Sequence, residues 1–171
     1  MRPSLLQKMD VASRHTMPVL LTLALTLLSQ VPTHIPALAG VMPPLALMGV
    51  YYWAIYRPDL FTAGTAFAIG FLQDLISGTP LGVSALVLLL AHGVAASQRR
   101  YFLGHGFLAV WWGFALVSAG AALASGILVS FLAGGGLDPK PVLFQYVLAL
   151  FLFPPLARLI GAAHHHFLKE A

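Results

Sequence analysis

Long apolar stretches separated by short polar breaks set the pattern of this chain. They run through residues 17–31, 41–56, 60–76, 80–97, 102–132 and 142–163. A helix needs roughly 20 apolar residues to cross a bilayer core. The pattern therefore predicts an all-α integral membrane protein: one polytopic domain, 1–171, built as a bundle of six transmembrane helices. Pro32 and Pro36 end the first run, because proline removes an amide donor and breaks helix continuity. The second run is short and opens with Pro43-Pro44. The proline-rich piece between the two runs, 32–44, is a candidate re-entrant or interfacial segment on the outer side. The fifth run exceeds the bilayer core at about 1.5 Å per residue, so it is expected to tilt or to begin in the interface.

Composition sharpens this reading. Of 171 residues, 59% are hydrophobic and 8% charged, against about 25% charged in a soluble domain. Lipid is the solvent that such a surface calls for. No small-residue cleavage site follows the first apolar run, which argues against a signal peptide. With no cysteine, disulfides, thiolate nucleophiles and thiolate metal sites are excluded. The net charge is +4, without a dense basic tract suited to nucleic acid.

The cations give orientation. Arg2, Lys8 and Arg14 precede the first run, Arg57 follows the second, and Arg99 and Arg100 follow the fourth. Arg158 and Lys169 mark the end of the sixth, and Lys140 alone falls on the other side. Positively charged connections stay cytoplasmic, which places both termini there.

Asp74 is the one acid inside an apolar run. A carboxyl group near hydrocarbon is costly unless it is protonated, solvated or paired. It belongs to a stripe at four-residue spacing, Thr62, Ala66, Gly70, Asp74 and Gly78, that shares one helix face. The fifth run repeats the device with Ser118, Ala122, Gly126, Ser130 and Gly134. Small residues let helix backbones approach closely. Each stripe is either an internal seam or the seat of a transmembrane helix from another protein. Gly78, Pro80 and Gly82 follow Asp74 at once, so the third and fourth runs form a compact hairpin with the acid below its tip. One role for Asp74 is to accept hydrogen bonds from amides at the start of the fourth run and pin the hairpin. A proton or ion relay would call for further acids or histidines at the same depth, and Asp74 has no acidic companion.

Other polar and aromatic positions read more plainly. Tyr51-Tyr52-Trp53 and Tyr56-Arg57 close the second run as an interfacial anchor, with Arg57 free to pair with Asp59 or a lipid phosphate. Trp111 and Trp112 read the same way. His164-His165-His166 point in different directions on a helix and form a wet, weakly basic end rather than a metal site. His92 and His105 are isolated and read as packed or interfacial side chains. Hydrolase, metalloprotease and phosphate-loop signatures are absent, and no cofactor is expected.

The order of these features resembles the rod shape-determining MreD family. The resemblance rests on a proline-led short span ending in Tyr51-Tyr52-Trp53, then Arg57-Pro58, Gly70-x-x-x-Asp74 and Gly78-x-Pro80-Leu81-Gly82. This motif covers roughly 43–90, and length and span order agree over nearly the whole chain. The resemblance implies a non-enzymatic component of the bacterial inner membrane, part of the cell-elongation machinery. It implies association with the bitopic MreC protein. Through MreC it implies association with the actin-like MreB filament and the lateral-wall synthases, a penicillin-binding protein and a SEDS glycosyltransferase. It also implies a fold similar to the six-helix S-components of energy-coupling-factor transporters. That kinship supplies the rival reading, a vitamin-type binding subunit, for which Gln30, His34, Gln73 and Asp74 are candidate polar groups.

The absence of cysteine makes the predicted topology directly testable. Gly135→Cys and Thr79→Cys should react with an impermeant thiol reagent in intact cells, whereas Gln98→Cys and Glu170→Cys should not. Labelling of Gln98→Cys from outside would overturn the six-span arrangement.

Overall fold

The short run after Pro43-Pro44 becomes the centre of the protein. The computed structural model describes residues 5–31, 42–136 and 139–168, with side chains described from Thr16 to His165. Its described residues form α1 (Leu5–Ser29), α2 (Leu45–Tyr56), α3 (Ala63–Ser77), α4 (Val83–Ser97), α5 (Arg99–Gly104), α6 (Gly106–Ala133) and α7 (Pro139–Leu168). The candidate re-entrant segment lies outside the described residues over 32–41, as do Lys169 and Glu170.

Every residue of α2 from Leu45 to Ile55 is buried. A helix that is apolar all round has no face for solvent and must be surrounded. Helices α1, α4 and α7 pack along it, and α3, α5 and α6 complete the enclosure. This corrects the anchor reading of the aromatics. Tyr51, Tyr52 and Trp53 are core residues, with Tyr51 and Trp53 fully enclosed. The Tyr51 ring packs edge-on against Phe114 at 5.3 Å and Phe153 at 5.7 Å, while those two stack on each other at 4.1 Å. Its hydroxyl donates to the Val110 carbonyl at 2.9 Å. Trp111 is likewise an interhelix tie, its Nε1 donating to the Leu150 carbonyl of α7 at 3.1 Å. Trp112 is 66% exposed and keeps the outward position of an anchor.

The fifth run is not one helix. It breaks at His105-Gly106, where Gly106 adopts φ 77°. The break folds Phe102 of α5 back into the core. Gly113 of α6 makes room for it, since a Cβ there would overlap the Phe102 ring and lie 2.6 Å from the Tyr51 hydroxyl.

Side chain-to-backbone bonds tie the remaining elements. His92 Nε2 pairs with the Phe61 carbonyl at 2.9 Å, and Arg99 Nε donates to the Ile55 carbonyl in the last turn of α2 at 2.7 Å. A cation at that position satisfies an orphan carbonyl and complements the helix dipole. On α1, the hydroxyls of Thr22 and Thr26 bond back to Pro18 and Thr22 carbonyls, both at 2.8 Å. Thus satisfied, they are fully buried, and Thr22 faces Gly49 of α2.

The exterior is as apolar as the interior. Phe131 is 88% exposed, Phe151 76% and Leu116 75%. Such a surface is suited to hydrocarbon rather than water. Among the described residues two helices, α6 and α7 (over Pro139–His165), are long and apolar enough to cross a bilayer. Helices α2, α3 and α4, of 12, 15 and 15 residues, reach only about 18–22 Å.

The two classes of tryptophan separate the core from the anchor reading. Trp53→Ala should lower the unfolding free energy by about 3–5 kcal/mol, as expected of an emptied core site. Trp112→Ala should change it by less than about 0.5 kcal/mol. Equal effects in reversible unfolding would contradict a central α2.

Candidate functional site

The hairpin of α3 and α4 is built around one carboxylate. Helix α3 starts at Thr62, whose hydroxyl accepts from the Thr65 amide at 3.4 Å. It stops at Gly78, which takes the left-handed conformation at φ 69° and donates its N–H to the Asp74 carbonyl at 3.2 Å. The chain turns through Thr79, Pro80 and Leu81 to Gly82, also left-handed at φ 98°. Pro80 does not open α4. It sits within the turn, and its carbonyl accepts from Val83 N–H at 3.3 Å.

These two reversals aim the first amides of α4 at Asp74, which is 1% exposed. Its Oδ2 accepts from Gly82 N–H at 2.9 Å, Ser84 N–H at 3.1 Å and Ala85 N–H at 3.4 Å. Its Oδ1 accepts from Thr79 Oγ1 at 2.8 Å and Ser84 N–H at 3.0 Å. The Thr79 hydroxyl lies 3.0 Å from that of Ser77, which donates to the Gln73 carbonyl at 2.7 Å. The first amides of a helix have no partner within it, and the helix dipole favours negative charge there. Asp74 therefore caps α4 from a different helix.

Gly70 lies one turn before Asp74 and faces the same neighbour. A Cβ at Gly70 would sit 2.5 Å from Ala85 Cα and 2.6 Å from the Ser84 carbonyl oxygen. This backbone contact assigns the Gly70 stretch of the first stripe to the internal α3–α4 seam and leaves it no room for a partner helix.

Part of the second stripe lines a cavity, while Gly134 is exposed. Ser118 is buried, and Ser118, Ala122 and Gly126 line a partly open cavity of about 330 Å³. Ser130 Oγ bonds the Gly135 carbonyl at 2.6 Å, past the end of α6. Arg57 ends α2 through its backbone, donating to the Trp53 carbonyl at 2.8 Å. Among the described residues no ion pair joins Arg57 to Asp59. His164 is half-buried and stacks on Trp53 at 5.5 Å, so this part of the histidine tract is packed rather than wet. No group of three potential metal ligands occurs among the described residues.

Thr79 and Ser84 were not singled out in the sequence, although Thr79 supplies a side-chain donor and Ser84 an amide to Asp74. The usable signal was Thr79 next to Pro80 in a turn that must face an acid one helical turn back.

Comparison with known proteins places this hairpin in a family. The profile of the rod shape-determining protein MreD matches residues 9–162, nearly the whole chain. The chain belongs to the MreD family. The family is described as rod shape-determining and is a family of structural proteins rather than a known enzyme family. An uncharacterized protein of Rickettsia prowazekii (strain Madrid E) is 30% identical over 69 residues, a stretch covering 40% of this MreD chain and 38% of the relative. No solved structure matches.

The capping geometry predicts a graded series. Asp74→Leu leaves several buried amides without an acceptor, at about 1–3 kcal/mol each. Asp74→Asn keeps one acceptor oxygen but turns an NH₂ group toward backbone N–H groups, so its loss should fall between wild type and Asp74→Leu. Gly70→Ile should prevent folding of the hairpin. Unfolding midpoints and folded yield check this order, and an Asp74→Leu protein as stable as wild type would refute the capping role.

Proposed function

We propose that this MreD-family chain is a non-enzymatic, six-span scaffold of the bacterial inner membrane with both termini in the cytoplasm. In this reading it binds an MreC-type bitopic protein. Through that protein it meets the MreB filament and helps organise lateral-wall synthesis by a penicillin-binding protein and a SEDS glycosyltransferase. The family match over 9–162 carries the reading. The geometry supports it in two ways. Both oxygens of Asp74 are taken up by the hairpin's own donors, which suits a rigid frame. The outward faces of α6 and α7 are apolar, which suits recognition of another helix within the membrane.

Since Gly70 packs against Ala85 and Gly126 lines a cavity, the partner helix needs another close-approach position. Gly120 of α6 is exposed, and a Cβ there meets nothing within 4 Å. It lies beside Ala124 in a partly open groove of about 350 Å³ between α4 and α6. We assign the partner contact to this groove, where a small residue admits a second backbone.

Gly120→Ile should fold like wild type, reduce co-purification of the MreC-type partner by tenfold or more, and fail to restore rod shape in depleted cells. Wild-type levels of partner and normal shape in cells carrying Gly120→Ile would move the contact elsewhere. A wild-type protein that captures no such partner, yet supports vitamin uptake with an energising subunit, would replace the scaffold by the transport reading. The cavity beside α6 is the observation that favours that alternative.

A further inference from the structure

The cavity lies between the start of α2, the α3–α4 hairpin, the second half of α6 and the start of α7. It does not depend on the scaffold reading, although Val87 and Ala121 line both this cavity and the groove assigned to a partner helix. Its volume of about 330 Å³ falls at the lower end of the roughly 300–1,000 Å³ usual for small-molecule sites.

The chemistry of the walls is selective. None of the lining residues is Asp, Glu, Lys, Arg or His. A charged ligand would be desolvated there without a counter-charge, at a cost of several kcal/mol. The polar lining combines acceptors with hydroxyls that can also donate, those of Ser84 and Tyr146. Gln73 Oε1 is buried and has no hydrogen-bond partner. Ser118 and Ser125 direct their hydroxyl hydrogens back to the Ala115 and Ala122 carbonyls of their own helix, at 3.2 and 3.0 Å. That leaves their oxygens as acceptors. Gln145 commits its Nε2 to the Met42 carbonyl at 3.0 Å, which leaves Oε1 to accept. Most of the remaining wall is aliphatic or alanine.

A buried acceptor without a donor is costly; Gln73 Oε1 is such an acceptor, and Ser118, Ser125 and Gln145 offer further acceptor oxygens on the same walls. We propose that this cavity binds an uncharged amphiphile that donates hydrogen bonds, a hydroxyl-bearing head on an apolar body. Gln73, Ser118, Ser125 and Gln145 receive its hydroxyls. The same chemistry is available from a neutral acylglycerol in the membrane or from a neutral hydroxylated solute in water.

The test uses the full-length protein in phosphatidylcholine nanodiscs and reads the thermal unfolding midpoint. 1-Monooleoylglycerol supplies the neutral head on an apolar chain, oleate the same chain with a charged head, and glycerol the head alone. We expect 1-monooleoylglycerol to raise the midpoint by a few degrees and oleate to leave it unchanged. Ala122→Phe, which fills the cavity, should abolish the shift, and the milder Gln73→Leu should at least halve it. A shift with glycerol alone, also lost in Gln73→Leu, would support the site and give its source as a soluble solute. Equal shifts with oleate, no shift with any probe, or a full shift retained in Gln73→Leu would each overturn the proposal. Because the comparison of the three probes is made on the wild-type protein, it stands even if Ala122→Phe does not fold.

Discussion

The capping of α4 by the Asp74 carboxylate is the constraint on which the hairpin depends. A buried carboxylate is tolerated only when its oxygens are filled by donors. Here the donors are Thr79 and the amides of Gly82, Ser84 and Ala85. Those amides reach it only if the turn reverses through Gly78 and Gly82. They reach it only if α3 and α4 lie close enough for Gly70 to touch Ala85. One acid thus fixes where α3 ends, where α4 begins and how far apart they pack.

The rest of the bundle follows the same economy of polar groups. Inside a medium without water, a polar side chain gains from a partner within the protein; Trp53 Nε1 and Gln73 Oε1 are buried without one. Tyr51, His92, Arg99, Trp111 and Gln145 each contact a backbone carbonyl in another part of the chain. The bonds stitch helices whose lateral packing gains little from hydrophobicity when the surroundings are equally apolar. Small residues supply the remaining contact, as where Thr22 of α1 meets Gly49 of α2.

A rigid interior beneath an apolar exterior fits a family whose members determine shape. The acid is enclosed within the frame, and the surface offers an apolar groove and an uncharged cavity with polar side chains. These two features both run along α6 and share Val87 and Ala121 in their linings.

The helical class, the approximate limits of most helices and the Asp74 hairpin were legible in the sequence. Each rests on local rules: apolar run length, glycine and proline at turns, and the cost of a lone acid in an apolar run. What faces what was not legible. Tyr51-Tyr52-Trp53 has the composition of an interfacial anchor, and only the enclosure of α2 makes it the core. The run over 102–132 has no internal proline, and only the docking of Phe102 against Gly113 reveals why it breaks at Gly106. Both stripes of small residues were equally fit to face a partner or a neighbour within the chain. A four-residue period identifies a helix face but not its occupant, because close approach of backbones is the same interaction in either case. Sequence alone determined that Asp74 needs donors; the tertiary structure decided which ones, because their positions depend on the path of the turn and the packing of a second helix.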